Sequence, residues 1–256
     1  MKLVDAHCHL ESPLYEGRRG EIIRQAEEAS LARMITCAIE PGEWELSRSL
    51  SRRHASVAHA LGIHPWYIRG EDFTRLEELP ALLSEGAVAV GEIGLDRKTE
   101  KVSLEEQKRF LEKQLIIARE TSLPVILHCR GAFDDLWALF KRIGAPPGGG
   151  IIHSFSGSVE LAEQFMRIGL AFSMGGVLTY RNSRRRSEVL RRIYPDHFLL
   201  ETDAPDIPPV EAREGLHVPA NLLYNLRAAS EILKLPEEAV AERTSANAAR
   251  IFRLEL

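Results

Sequence analysis

The sequence has few cysteines, no long hydrophobic run and no excess of positive charge. Its three cysteines, Cys8, Cys37 and Cys129, are an odd and widely spaced set, which excludes a disulfide framework and a structural zinc ribbon. No apolar run approaches the roughly 20 residues that a membrane helix needs. The formal net charge of −4 offers no global attraction for nucleic acid. A polyanionic substrate would therefore have to be drawn by metal ions or by a local basic patch.

The first residues also lack the pattern of a secretory signal. Asp5 and His7 follow Leu3-Val4 directly, so no basic segment is followed by an apolar stretch. We therefore expect a cytoplasmic protein without membrane association, and no feature indicates an obligate protein partner. The stretches dense in proline and glycine, 145–150 and 204–209, are too short to separate independent cores. Residues 1–256 are accordingly predicted to form one domain.

What the sequence does contain is a regular alternation of short β-branched runs with longer amphipathic segments. This pattern is typical of parallel strands joined by crossover helices. Eight such alternations in about 250 residues predict an α/β fold of the TIM (β/α)8 barrel type, although a doubly wound sheet would also accommodate them. The predicted strands are Leu3 to His7, Met34 to Ile39, Val57 to Leu61, Val88 to Glu92, Val125 to His128, Ile151 to His153, Leu170 to Met174 and Phe198 to Thr202.

A His-x-His pair closes the first predicted strand. Side chains alternate along a strand, so His7 and His9 share one face, which suits chelation of a metal ion. A histidine pair at a strand end is also compatible with a purely structural role. Asp5 has the same parity, which leaves it either as an acceptor that orients one imidazole or as a buried structural carboxylate.

Further ionisable residues close later predicted strands. Glu92 ends an apolar strand, where a carboxylate must be paired, metal-bound or protonated to offset its desolvation. An internal salt bridge is less favoured than metal binding, because the next two strands end in His128 and His153. On the last strand Glu201 and Asp203 share a face, and the deeper Glu201 is expected to support the site while Asp203 reaches it.

Six of these residues lie at or just beyond the C-terminal end of a predicted strand: His7, His9, Glu92, His128, His153 and Asp203. The C-terminal ends of the strands form the face where barrel active sites lie. Together the six residues exceed the ligand number of one tetrahedral metal, so the sequence predicts two divalent ions. One ion would take His7, His9 and Asp203 and the other His128 and His153, with Glu92 bridging. Imidazole and carboxylate ligands suit Zn²⁺, Mn²⁺ or Fe²⁺ and, less well, Mg²⁺.

Such a pair of ions can share a hydroxide nucleophile and stabilise both the attacking and the leaving oxygen of a phosphoryl displacement. Glu92 and Asp203 are the predicted catalytic carboxylates, since Asp203 is also placed to accept a proton from the attacking water. His64, in Gly62-Ile-His-Pro65, is a candidate for substrate binding or for stabilising its turn.

Two arginines are further candidates for binding an anionic substrate. Arg130 follows His128, and Arg181 opens an arginine-rich stretch that continues to Arg192 after strand seven, where barrels often bind phosphate. The same arginines would equally suit the solvated face of a helix. The tryptophans are expected to pack rather than to stack on bases, with Trp66 the one closest to His64.

The motifs together resemble the TatD family of metal-dependent deoxyribonucleases. The resemblance implies a TIM barrel, two divalent ions held by the six residues named above, hydrolysis of DNA phosphodiesters and a substrate-side role for His64. It runs through nearly the whole chain in family order, over Asp5-Ala-His-Cys-His9, Gly62-Ile-His-Pro65, Val90-Gly-Glu-Ile-Gly-Leu-Asp96, Pro124-Val-Ile-Leu-His-Cys-Arg130, His153-Ser-Phe-Ser-Gly157, Glu201-Thr-Asp-Ala-Pro205 and Thr244-Ser-Ala-Asn-Ala248.

Two departures from the family pattern concern the substrate rather than the ligands. Arg97-Lys98 stands where aromatic residues are common, and Gly131 stands where an aspartate often follows Arg130. DNA or another phosphodiester is the predicted substrate. The alternatives are a C–N or lactone hydrolase of the amidohydrolase type, disfavoured because Glu92 stands where a carbamylated lysine often bridges the metals, and a non-catalytic metal-binding protein.

Overall fold

The computed structural model describes residues 1–180 and 184–256 and contains one sheet of eight parallel strands in sequential order. Each strand pairs with the next one along the chain. The strands are β1 (Leu3–Cys8), β2 (Leu31–Ala38), β3 (Val57–Leu61), β4 (Ala89–Asp96), β5 (Val125–Arg130), β6 (Gly150–Ile152), β7 (Leu170–Met174) and β8 (Phe198–Leu200).

The sheet curls until its last strand reaches its first. The N–H of Asp203 donates to the carbonyl of His7 at 2.9 Å, and the N–H of His9 donates to the carbonyl of Ala204 at 2.8 Å. Helices cover the outside of this barrel: α1 (Arg19–Glu28), α2 (Trp44–Arg53), α3 (Leu79–Leu83), α4 (Leu104–Thr121), α5 (Phe133–Ile143), α6 (Val159–Met166), α7 (Arg184–Ile193), α8 (Leu222–Leu233) and α9 (Glu237–Phe252). The predicted TIM barrel is therefore confirmed, and the doubly wound alternative is excluded.

Several predicted strand ends differ from the structure by one to four residues, and for two of them the reason is identifiable. β4 continues past Glu92 to Asp96 because its partner β5 extends equally far and pairs Asp96 with Arg130. β8 ends at Leu200 rather than Thr202, since the Thr202 N–H donates to the Asp5 carboxylate instead of joining the ladder.

The barrel interior is filled from its N-terminal end. Small and branched side chains of the strands, such as Val4, Ile35 and Ile126, form a buried cluster with Ala248 and Phe252 of α9. A larger buried cluster lies between the sheet and the surrounding helices. This packing leaves the C-terminal ends of the strands as the open face. Within the described residues, no helix combines the length and apolar character required to cross a bilayer.

Candidate metal centre

The structure brings the six predicted ligands together at the C-terminal face of the barrel. All six are buried or half-buried. His9, His153 and Asp203 lie one to three residues beyond a strand end, His7 and His128 lie within the last three residues of β1 and β5, and Glu92 lies within the longer β4. The chain thus gathers imidazoles and carboxylates from five different strands. Among the described residues, their ligand atoms form three overlapping groups. Within each group the atoms lie within 4.8 Å of one another, and one group also includes His64.

One group of ligand atoms surrounds the side chain of Asp203. Asp203 Oδ1 lies 3.4 Å from His7 Nε2 and 3.4 Å from His9 Nε2. Glu92 Oε2 faces the same two nitrogens at 3.3 Å and 3.5 Å. Two imidazoles and two carboxylate oxygens are therefore close together in this group.

The other oxygen of Glu92 faces a second group. Oε1 lies 2.8 Å from His153 Nε2 and 3.3 Å from His128 Nδ1. These two nitrogens are 3.3 Å apart. The Glu92 carboxylate therefore lies between the two groups, with one oxygen directed at each.

Hydrogen bonds behind the imidazoles set their tautomers. His9 Nδ1 is 2.9 Å from the carbonyl of Cys37, and His128 Nε2 is 3.1 Å from Asp96 Oδ2. Both oxygens can only accept, so these nitrogens carry the protons. When each ring is neutral, its other nitrogen presents a lone pair to the site, which is the usual arrangement around a metal-binding histidine.

Asp96 belongs to the centre, although the sequence analysis assigned it no role. Besides His128, its carboxylate accepts from the indole N–H of Trp66 at 2.7 Å and from the Lys98 N–H at 2.7 Å. Burial opposes ionisation of Asp96, but these hydrogen bonds outweigh it and lower its pKa to about 2. Its parity with Glu92 would have revealed it, had β4 been predicted to run to its full length.

The two acidic residues after β8 have different roles. Glu201 Oε1 accepts from the Ser154 N–H at 2.7 Å, and Oε2 lies 3.8 Å from His153 Nδ1, so Glu201 supports the centre from behind as expected. Asp203 faces the ligand groups directly. Burial opposes its ionisation, but hydrogen bonds from His7 and His9 hold the pKa of Asp203 well below its usual range.

Within residues 1–180 and 184–256 the Asp5 carboxylate has no hydrogen bond to an imidazole ring, which corrects one of the two roles considered for it. Its carboxylate accepts from the N–H and the hydroxyl of Thr202 and from the main-chain N–H of His7. The pairing of β1 with β2 shifts register between Asp5 and Cys8. Burial raises the pKa of Asp5 to about 7. Asp5 joins β1 to the end of β8 and thereby supports the barrel closure.

His64 lies beside the second ligand group. Its Nδ1 accepts from the Trp66 N–H at 3.1 Å, so the proton of the neutral ring is on Nε2, 3.3 Å from Glu92 Oε1. Burial lowers the pKa of His64 to about 4. The ring is therefore a neutral hydrogen-bond donor into the site, and this tautomer offers no lone pair to a metal at Nε2.

A cavity of about 820 Å³ opens above the ligand groups. Arg130 lines it, and so does Arg186, which the sequence analysis placed only within the arginine-rich stretch. Arg181, the other predicted anion-binding residue, lies outside the described residues. Trp66 also lines the cavity, and its bond to Asp96 gives it a polar contact beyond the packing role expected of it.

The charges of the centre suit divalent cations. The ion-pair partners of Glu92 and Asp203 among residues 1–180 and 184–256 are all histidines, with no lysine or arginine. Two buried carboxylates surrounded by imidazoles are otherwise neutralised only if those rings take up protons. Cations bound between them would replace these protons, and nitrogen and oxygen donors are appropriate ligands.

Comparison with known proteins agrees with this arrangement. The family model described as TatD related DNase matches residues 4–253. The chain is 31% identical to the uncharacterized metal-dependent hydrolase YabD of Bacillus subtilis, covering 98% of this chain and 99% of the relative. Its fold matches the crystal structure of YjjV, a TatD homologue from Escherichia coli, with a TM-score of 0.92, 29% identity, and coverage of 99% and 98%. This chain therefore belongs to the TatD-related DNase family and is a metal-dependent hydrolase.

Proposed function

We propose that this chain is a deoxyribonuclease that hydrolyses phosphodiester bonds with two divalent ions. The observation that carries the proposal is the position of the Glu92 carboxylate, whose two oxygens face two separate groups of ligand atoms. One oxygen would serve each ion, with His7, His9 and Asp203 completing one site and His128 and His153 the other. The family description supports DNA as the substrate.

The protein groups have separable tasks in this reaction. When bound, the ions supply a nucleophile at neutral pH and stabilise charge on the attacking and leaving oxygens. The ionised Asp203 carboxylate accepts the proton that the attacking water loses. His64 donates its Nε2 proton in a hydrogen bond to a phosphate oxygen, and Arg130 attracts the substrate anion. Water adds across one P–O ester bond, giving a phosphate monoester and a free alcohol.

The experiment is metal-dependent cleavage by the purified protein. We expect Mn²⁺, Mg²⁺ or Zn²⁺ to stimulate cleavage of single-stranded DNA and of bis(p-nitrophenyl) phosphate, and a chelator to abolish it. Glu92→Ala should lower kcat by more than 100-fold, since a bridging carboxylate supports both ions, while circular dichroism shows a folded barrel. The matched control is Glu112→Ala, which removes a partly exposed carboxylate that pairs with Arg142 on the outside of the barrel.

Metal stoichiometry separates the competing outcomes. Two ions per chain in the wild type and fewer in Glu92→Ala agree with bridging. Clear hydrolysis of amides or lactones without any phosphodiester cleavage would instead favour the amidohydrolase reaction. Stoichiometric metal with no turnover of any substrate class would favour a binding protein.

A further inference from the structure

The acidic and the basic side chains that line the cavity follow different strands of the barrel. Glu40 and Glu43 follow β2, and Asp206 follows β8; we name these three carboxylates the acidic arc. Arg130 ends β5 and Arg186 lies on α7 after β7; we name these two guanidinium groups the basic arc. All five residues line the same cavity above the ligand groups.

Strand order places the two arcs on opposite sides of the mouth. In the closed eight-stranded barrel β8 lies next to β1, and β1 lies next to β2, so the acidic arc occupies one continuous sector. β6 lies across the barrel from β2, and the basic arc spans β5 to β7. The ligand groups lie on the floor between the arcs, so a substrate bound there has a positive wall on one side and a negative wall on the other.

The acidic arc is only partly neutralised by protein contacts. Glu40 pairs with Arg69 at 3.2 Å, and Glu43 accepts from the main-chain N–H of Ile39 at 2.9 Å. Asp206 is exposed and has no ion-pair partner within residues 1–180 and 184–256.

This asymmetry conflicts with a polynucleotide that runs across the mouth. Such a strand would place one flanking phosphate beside the basic arc and the next beside the acidic arc. Like charges a few ångströms apart near a protein surface repel by enough to cost about tenfold or more in affinity. Hydroxyl or ammonium groups on that side would instead find acceptors.

We propose that the cavity binds a compact phosphodiester whose flanking anionic group lies on one side only. The flanking anion faces Arg130 and Arg186, and the other side of the scissile phosphate carries neutral or cationic polar groups that face Glu40, Glu43 and Asp206. This assignment rests on the proposed phosphodiesterase activity. Hydrolysis adds water across the scissile P–O bond, which leaves the phosphate on one product and a hydroxyl on the other.

The test compares four thymidine dinucleotides that share one scissile bond. The first carries no terminal phosphate, the second a 5′-phosphate, the third a 3′-phosphate and the fourth both. We expect one singly phosphorylated isomer to be cleaved at least as well as the unphosphorylated one. The other isomer and the doubly phosphorylated compound should show kcat/KM values lower by about tenfold or more. Closed circular single-stranded DNA, which has phosphates on both sides of every bond, should not be cleaved.

Variants connect this preference to the two arcs. Glu40→Gln combined with Asp206→Asn should remove most of the penalty on the disfavoured isomer, while Arg130→Gln should remove any advantage of the favoured one. Glu71→Gln is the matched control, because Glu71 is an exposed carboxylate on the 3-10 helix Gly70–Glu77 and does not line the cavity. It should leave all four rates unchanged.

The outcomes separate this inference from the proposed function. Cleavage of all four dinucleotides within twofold of one another, or cleavage of circular DNA, would overturn the one-sided preference alone. A preference that persists in the Glu40→Gln, Asp206→Asn variant would also overturn it, because the carboxylates would not be its cause. Failure to cleave any of the four by a metal-loaded protein would remove the proposed function, and this inference with it.

Discussion

At the residue scale, the chemistry of the centre depends on what lies behind each imidazole. The carbonyl of Cys37 and the carboxylate of Asp96 keep the protons of His9 and His128 on the nitrogens that face away from the site. The main-chain N–H of Trp66 donates to His64 Nδ1, so the proton of the neutral His64 ring is on Nε2, which faces the site. Residues of the same type therefore divide into lone-pair donors and a proton donor by means of single hydrogen bonds.

Asp96→Asn is the sharpest test of this division. The amide can no longer act as an ionised acceptor for His128 Nε2, so the ring loses its fixed tautomer and part of its basicity. Loss of such a partner typically weakens metal affinity by about 10–100-fold. Calorimetric titration with Mn²⁺ should show this change, with Asp134→Asn, an exposed carboxylate in the first turn of α5, as the control. Unchanged affinity in Asp96→Asn would show that His128 is oriented by other contacts.

Metal affinity should also rise with pH. Burial opposes protonation of His9 and His128, but hydrogen bonds to Asp203 and Asp96 respectively raise the pKa of each to about 9. At pH 7 these rings hold protons that an incoming cation must displace. Since the protons are already absent above the pKa, the apparent affinity should increase from pH 6 to 9 and then level off.

Calorimetry in two buffers with different ionisation enthalpies measures this proton release directly. We expect release of up to about two protons per chain near pH 7 from these two rings, and less in Asp96→Asn, where the pKa of His128 falls. Metal binding without proton release would mean that both rings are neutral before the cation arrives.

Single residues differed in how well the sequence predicted them. The six predicted ligand positions followed from strand ends and alternation, which are local properties of the chain. The role of Asp5 did not, because its carboxylate contacts Thr202, which is 197 positions away along the chain. The Cys37 carbonyl is a backbone group on a neighbouring strand, and no side-chain pattern reports its position.

At the element scale, α4 holds two loops of the centre through a pair of buried glutamines seven residues apart. Gln107 Oε1 accepts from the Asp96 N–H at 2.7 Å, and its amide donates to the Asp96 carbonyl at 3.0 Å. Gln114 contacts Ile63, next to His64, in the same way, at 2.7 Å and 3.2 Å. One helix thereby fixes the ends of β3 and β4.

Gln107→Leu should leave the Asp96 N–H buried without its acceptor. An unsatisfied buried polar group costs about 1–3 kcal/mol, so urea denaturation should show a loss of unfolding free energy in this range together with weaker Mn²⁺ binding. Gln25→Leu is the control, because the Gln25 side chain donates an exposed hydrogen bond to Glu21 on α1, away from the ligand groups. A stability loss without any change in metal binding would confine Gln107 to a structural role.

These helix-to-loop contacts could not be predicted from the sequence. Apolar residues recur at helical spacing over residues 104–120, so α4 itself is evident from the sequence. Gln107 and Gln114, however, would equally suit a solvated helix face. Their burial depends on how α4 packs against β4, which is a tertiary property that no local periodicity encodes.

At the scale of the whole molecule, the two ends of the barrel have different tasks. Eight alternations of strand and helix predicted the barrel because the connection pattern and chain length admit few architectures. The division of charge around the mouth was not predicted. Glu40, Asp206 and Arg186 lie in loops or at the start of a helix, and only barrel closure brings them around one cavity.

Phe252→Ala tests whether stability and metal chemistry are separable along the barrel axis. Phe252 is 2% exposed and packs with Ala248 against the barrel interior at the N-terminal end, away from the ligand groups at the other. Truncating a buried phenylalanine costs about 3–5 kcal/mol through lost burial and the cavity that remains. Urea denaturation should show this loss, while the Mn²⁺ affinity of the still-folded protein should stay within twofold of the wild type. A parallel loss of metal affinity would mean that a change in the packing of α9 alters the geometry of the ligand groups, so that the two ends of the barrel are not independent.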